Sequence, residues 1–184
     1  MTEEKYKTYH HIPPHLFRPK SKYFITGSTY KSRRIIRGGA KDRLLNSLTT
    51  ACSAYDWILE DWVILDNHYH IMLEAPENPS TLSNLIRDMH KFTALWIKKH
   101  ITQSRDLPHV FHNYWDTCIT YERSYFARLN YIYYNPVKHG YASLPEEYAY
   151  GSYRTRFLDA RERQHLMAMK ERYPFDKVKV KDDF

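Results

Sequence analysis

Two histidines two residues apart, His68 and His70, stand in the stretch DNHYHIMLE. In an extended strand, side chains at i and i+2 leave the same face. Both imidazoles therefore point one way, and Tyr69 and Ile71 point the other. Two neutral imidazoles converging like this can hold one divalent ion, and an ordinary pair of polar strand residues would look the same. Glu74, two further steps along that face, reads as an outer ligand, an orienter of an imidazole, or a solvated strand-end carboxylate. Some sixty residues later comes NYIYYNPVKHG, in which Tyr131 and Asn135 are i and i+4. On a helix they share one side and offer a phenol and a carboxamide oxygen together. The plain alternative is a packed tyrosine and a residue that caps the helix end. A phenol with an ordinary pKa of about 10 attacks at neutral pH only when it is activated.

The elements that must position these groups follow from periodicity. KYFITGSTY, Lys22 to Tyr30, is β-branched and aromatic and reads as a first strand. The basic loop KSRRIIRGG follows, and Asp42 opens a helix through KDRLLNSLTTACSAYDW. Ile58 to Leu65 and His68 to Ala75 read as two strands joined by the turn Asp66-Asn67. Thr81 to His100 has helical spacing, with Arg87, His90, Lys91, Lys98 and Lys99 on its flank. Tyr114 to Glu122 reads as a fourth strand. The segment RSYFARLNYIYYN is a final helix that should end at Asn135-Pro136, because proline disfavours the α conformation in the residue before it. The order β-α-β-β-α-β plus a helix predicts an α+β, ferredoxin-like, split β-α-β-β-α-β antiparallel sheet with an added C-terminal helix. Its first and third strands would be central, which places His68 and His70 mid-sheet. The expected organisation is an extended arm over 1–20, in which Pro13, Pro14 and Pro19 oppose regular structure, a domain over 21–157, and a tail over 158–184.

Composition narrows the partner. The chain has 184 residues, a formal net charge of +7 and 17 tyrosines, a balance that favours single-stranded nucleic acid. Cys52 and Cys118 are far apart and read as reduced thiols of a cytoplasmic protein. The start MTEEKYKTYHHIPPH is charged and has no apolar core of a signal peptide. No apolar run reaches the roughly 18 residues a membrane span needs.

His68-Tyr69-His70 followed by YIYYNPVKHG resembles the single-tyrosine HUH transposases, and most closely their REP-associated tyrosine transposase branch. The likeness runs from about Ile12 to about Phe157. NHYHIMLE, RDMHKFTALWI, FHNYWDTCI and NYIYYNPVKHG carry it, in that order. Tyr69 departs from the plainly apolar middle residue of the pattern, but an outward phenol would leave the histidine face undisturbed. The resemblance implies that Tyr131 is the nucleophile and that His68, His70 and Asn135 bind a divalent metal, Mg2+ or Mn2+. It implies cleavage of single-stranded hairpin DNA through a 5′-phosphotyrosine with a free 3′-hydroxyl, followed by rejoining without ATP. Lys91 and Arg87 would face the active site, with Lys91 beside the scissile phosphate. Arg33, Arg34 and Arg37 form a loop suited to phosphate contacts, although solvated charge explains these residues equally well. The arm HHIPPH and the tail after Tyr153 are candidates for base recognition. The protein would act as a monomer or homodimer, in the cytoplasm at the nucleoid. Two other readings fit the same fold class: a non-catalytic nucleic-acid-binding module, and a metal-dependent hydrolase with no covalent step.

Overall fold

The computed structural model describes residues 5–9 and 12–156, with Gln164, Ala168, Glu171 and Arg172 beyond them. Most of the expected tail, and parts of the arm, lie outside the described residues. Two short strands come first, β1 (Lys5–Tyr9) and β2 (Ile12–Phe17), paired antiparallel. This hairpin departs from the extended arm that the prolines predict. Its register skips between Lys7↔His15 and Tyr9↔Ile12, so Pro13 and Pro14 fall in the irregular stretch, where a missing N–H costs least.

The body of the chain is β3 (Lys22–Thr29), α1 (Gly39–Ala54), β4 (Ile58–Ile64), β5 (His68–Glu74), α2 (Leu82–His100), β6 (Phe111–Ile119), α3 (Glu122–Lys138) and a short α4 (Tyr153–Arg156). The four longer strands form one antiparallel sheet in the order β4-β5-β3-β6. The first and third strands of the β-α-β-β-α-β order are thus central, and β5, which carries the two histidines, is enclosed on both sides.

Each face of the sheet has its own apolar cluster. Ile25, Tyr69, Ile71 and Leu73 pack under α1 and α2, against Leu44, Leu48, Leu85 and Met89. Phe24, Met72, Val63 and Leu65 pack under α3, against Leu129, Tyr131 and Ile132. Period-2 alternation therefore sends His68 and His70 towards α3 and Tyr69 towards α2. Tyr69 does not point outward as expected. It is 1% exposed, and its hydroxyl lies 2.8 Å from His90 Nε2. Room for its ring comes from Gly27, its partner across β3, where a Cβ would overlap the phenol.

A buried carboxylate anchors α3. Asp61 on β4 accepts from Tyr133 Oη at 2.7 Å and Ser152 Oγ at 2.9 Å, and it pairs with Arg156. Burial pushes this carboxyl up to about 6, against the opposing pull of Arg156. Several boundaries differ from the periodicity, and β6 lies three residues earlier at each end than Tyr114 to Glu122. α1 starts at Gly39, three residues before Asp42, after Gly38 turns the chain at φ 51°. α3 runs through Pro136 to Lys138 and ends where Gly140 adopts φ 71°. Pro136 lies in the last turn, so its missing N–H and ring disturb little helix, and its buried ring is held by packing.

Candidate active site

The turn before β5 prepares the first imidazole. Leu65 N–H donates to His68 O at 2.8 Å and closes the Asp66-Asn67 turn. The Asp66 carboxylate is held by Lys41 and Arg37, each at 2.9 Å. The Asn67 amide is oriented by its Nδ2, which donates to Ser32 O at 3.4 Å. Its Oδ1 then faces His68 Nδ1 at 2.8 Å, so Nδ1 carries the proton and Nε2 carries the lone pair. That lone pair looks at Asn135 Oδ1, 3.2 Å away. Two acceptors face one another there, while Asn135 Nδ2 is buried with no hydrogen-bond partner. His68 Nε2 and Asn135 Oδ1 would both be available as donors to one cation.

His70 lies beside it, with ring centroids 5.2 Å apart. Its Nδ1 is taken by Thr26 Oγ1 at 2.8 Å on the neighbouring strand, which fixes the ring and assigns Nε2 to the ligand side. Phe24 stacks on its far face at 5.6 Å. The α3 helix sets Tyr131 edge-on to His70, with centroids 5.0 Å apart, and Asn135 one turn further. His68, His70, Tyr131 and Asn135 are thus brought together, all 3% exposed or less. Among the described residues, no group of three or more His, Cys, Asp or Glu side chains is arranged to hold a metal. A metal would need the Asn135 amide oxygen as its third protein donor. Glu74 is not part of the group: it sits at the far end of β5, paired with Lys22.

Two residues that the sequence reading passed over join the site. Lys138 Nζ donates to Tyr131 Oη at 3.0 Å, and the His139 ring lies 4.8 Å from that of His68. Their signal was the VKHG directly after Asn135-Pro136. Burial drives the His68 imidazole down to about 3, and the nearby charges of His139 and Lys138 act in the same direction. Burial likewise drives His70 far down, and His139 is lowered by burial with Lys138 and Arg34. Both β5 imidazoles are therefore neutral at physiological pH, the form that binds metals. The cations around them favour an anionic guest.

Residues 18–133 match the family model described as "Transposase IS200 like". The chain belongs to the IS200-like transposase family. The family match includes both histidines and Tyr131 and stops short of Asn135 and Lys138. Within the family's relatives, the chain is 26% identical over 144 residues to a Haemophilus influenzae protein assigned to the REP-associated tyrosine transposases, covering 71% of this chain and 82% of that one. It is 30% identical over 93 residues to the REP-associated tyrosine transposase of Escherichia coli K12, covering 50% of this chain and 52% of that one. The fold matches a solved REP-associated tyrosine transposase bound to a REP hairpin, with TM-score 0.64, 20% identity and coverage of 99% and 95%. No helix among the described residues is long and apolar enough to cross a membrane.

The basic residues divide between two places. Arg34 lies near His139, whose pKa its charge lowers, while Arg37 is bound to Asp66 and Arg33 is exposed in the same loop. Lys91 and Arg87 do not face Tyr131. They line an open groove of about 470 Å³ between α2 and β6, with Lys98, His109 and His112, across the sheet from the histidines. Helical spacing showed a basic flank on α2, but α1 and α2 share the Tyr69 face, and α3 packs on the other.

His90 in that groove yields a pH prediction. Its ring stacks on Phe111 at 4.1 Å, and burial lowers it to about 3. The unfolded chain takes up a proton near 6.5 that the folded chain refuses. Stability is therefore intact above about 6.5 and falls as pH drops towards about 3. At pH 5 this one group costs up to about 2 kcal/mol. His90→Gln should narrow the loss of unfolding free energy between pH 7.5 and pH 5 by about that amount in urea titrations. Equal losses in the two proteins would disprove it.

Proposed function

We propose that the protein cleaves and rejoins single-stranded hairpin DNA, with Tyr131 as the nucleophile and a divalent ion held by His68, His70 and Asn135. The observation that carries this reading is the meeting of a phenol, two neutral imidazoles and a carboxamide oxygen at the centre of the sheet. A binding module has no use for that set. Hairpin DNA is favoured because the solved relative of the same fold holds a REP hairpin.

Tyr131 Oη attacks the phosphorus and displaces the 3′ oxygen, leaving a 5′-phosphotyrosine. The covalent link conserves the phosphodiester bond energy, so the 3′-hydroxyl can later attack and rejoin the strand. Neutral imidazoles with an amide oxygen suit Mn2+ or Mg2+, which when bound would offset charge on the phosphate oxygens. Asn67 and Thr26 hold the two imidazoles in register, and Arg34 supplies a cationic approach for the backbone.

The test is incubation of the full chain with labelled hairpin single-stranded DNA and Mn2+. The expected products are a denaturation-resistant adduct of the protein with the 5′ end of the fragment downstream of the cut, and a free 3′-hydroxyl on the upstream fragment. Cleavage without an adduct would favour a hydrolase. Binding without cleavage under Mn2+ or Mg2+ would favour a non-catalytic module.

A further inference from the structure

We infer that Lys138 is a catalytic residue, one that holds the Tyr131 oxygen while that oxygen gains charge in cleavage and carries it away in rejoining. The inference rests on the proposed role of Tyr131 as nucleophile.

Lys138 follows Tyr131 by seven residues, two turns on along the same face of α3, and it is in place only because α3 continues past Pro136. Its Nζ stands 3.0 Å from Tyr131 Oη and 4.9 Å from the centre of the ring. An ammonium has three donors and no acceptor, so the phenol oxygen must be the acceptor in this bond. The hydroxyl hydrogen is thereby turned away from Lys138.

In cleavage the phenolic proton leaves to solvent, the Oη–P bond forms and the P–O3′ bond breaks. The 3′ oxygen then takes a proton from solvent, so the step is neutral overall. Negative charge develops on Oη before the bond to phosphorus is complete, and the ammonium is aimed at that atom. In rejoining the 3′-hydroxyl attacks and Oη departs, again carrying charge. One fixed donor therefore serves both directions, and its contact is strongest in the transition state. Lys138 is exposed, and what distinguishes it from a solvated lysine or a simple phosphate anchor is the aim of its ammonium at the phenol.

The experiment compares Lys138→Met and Lys138→Arg with the unaltered full chain. It uses single-turnover cleavage and rejoining of hairpin single-stranded DNA in Mn2+, with dissociation constants measured separately. Methionine keeps the length of the side chain and removes the donor. It should slow cleavage and rejoining alike by about 10²-fold, the usual loss for one oxyanion donor, with hairpin affinity within about twofold. Arginine should recover most of that rate. A substrate with sulfur in place of the bridging 3′ oxygen should leave the Lys138→Met deficit in place, because the leaving group is already helped and the nucleophile is not.

An undiminished rate in Lys138→Met, with the unaltered chain forming its adduct, would overturn the role of Lys138 and leave the proposed function standing. So would a loss confined to hairpin affinity, or a deficit erased by the 3′ sulfur. Absence of an adduct from the unaltered chain would remove both readings together.

Discussion

Tyr131→Phe protein should bind hairpin DNA with nearly unchanged affinity and never become attached to it. The substitution removes a single oxygen. The ring stays in the α3 cluster, edge-on to Phe24 at 6.3 Å and to His70 at 5.0 Å, so the packing that positions Asn135 on the same helix is retained. What disappears is the atom that forms the bond to phosphorus. Removal of the nucleophile from a site that acts as a unit lowers turnover by about 10⁴-fold or more, and no residual route yields a covalent product. Denaturing gels read the adduct, and filter binding reads the affinity. An adduct of undiminished yield would assign the nucleophile elsewhere; Tyr133 and Tyr134 are the first alternatives on the same helix. Tyr133 is tied to Asp61 at 2.7 Å and held far above its usual pKa by burial and that carboxylate, which argues against it.

The role expected of Tyr131 came from the family resemblance; what periodicity made legible was its placement. A strand repeats every two residues and a helix every 3.6, so His68 with His70, and Tyr131 with Asn135, are placed on faces by spacing alone. The β-α-β-β-α-β order put β5 mid-sheet, and this gave the two faces a meeting point. Spacing does not say which helix covers which side of a sheet. The family resemblance placed Lys91 and Arg87 beside the active site, whereas they line the groove under α2. Nor does local chain chemistry say when packing overrides it. Asn135-Pro136 signals a stop, yet the buried Pro136 lies within the last turn of α3. Reading the helix as ending there concealed Lys138, whose position depends on that extra turn. The hairpin of β1 and β2 was hidden for a similar reason: two prolines oppose a regular ladder, and the ladder shifts register opposite them.

The second large effect concerns the donors themselves. His70→Ala should abolish measurable Mn2+ binding in calorimetry and lower Mn2+-supported cleavage by about 10³-fold, since charge stabilisation on the phosphate is worth several kcal/mol. Truncating a fully buried ring also opens space beside Phe24, so a loss there has two explanations. Asn67→Ala separates them. Asn67 offers nothing to the cation; its Oδ1 holds the proton of His68 on Nδ1, 2.8 Å away, and so keeps the lone pair on Nε2. Without it the His68 ring can rotate or change tautomer, and Nε2–H can then donate to Asn135 Oδ1 at 3.2 Å. That internal bond would compete directly with the ion. Loss of such an outer hydrogen bond weakens metal affinity by about 10- to 100-fold and leaves the site intact. Asn67→Ala should therefore bind Mn2+ more weakly by that factor, form no less adduct at saturating Mn2+, and unfold at nearly the same urea concentration. If its Mn2+ affinity equals that of the unaltered chain, His68 Nε2 is not a ligand, and the two facing acceptors have some other role.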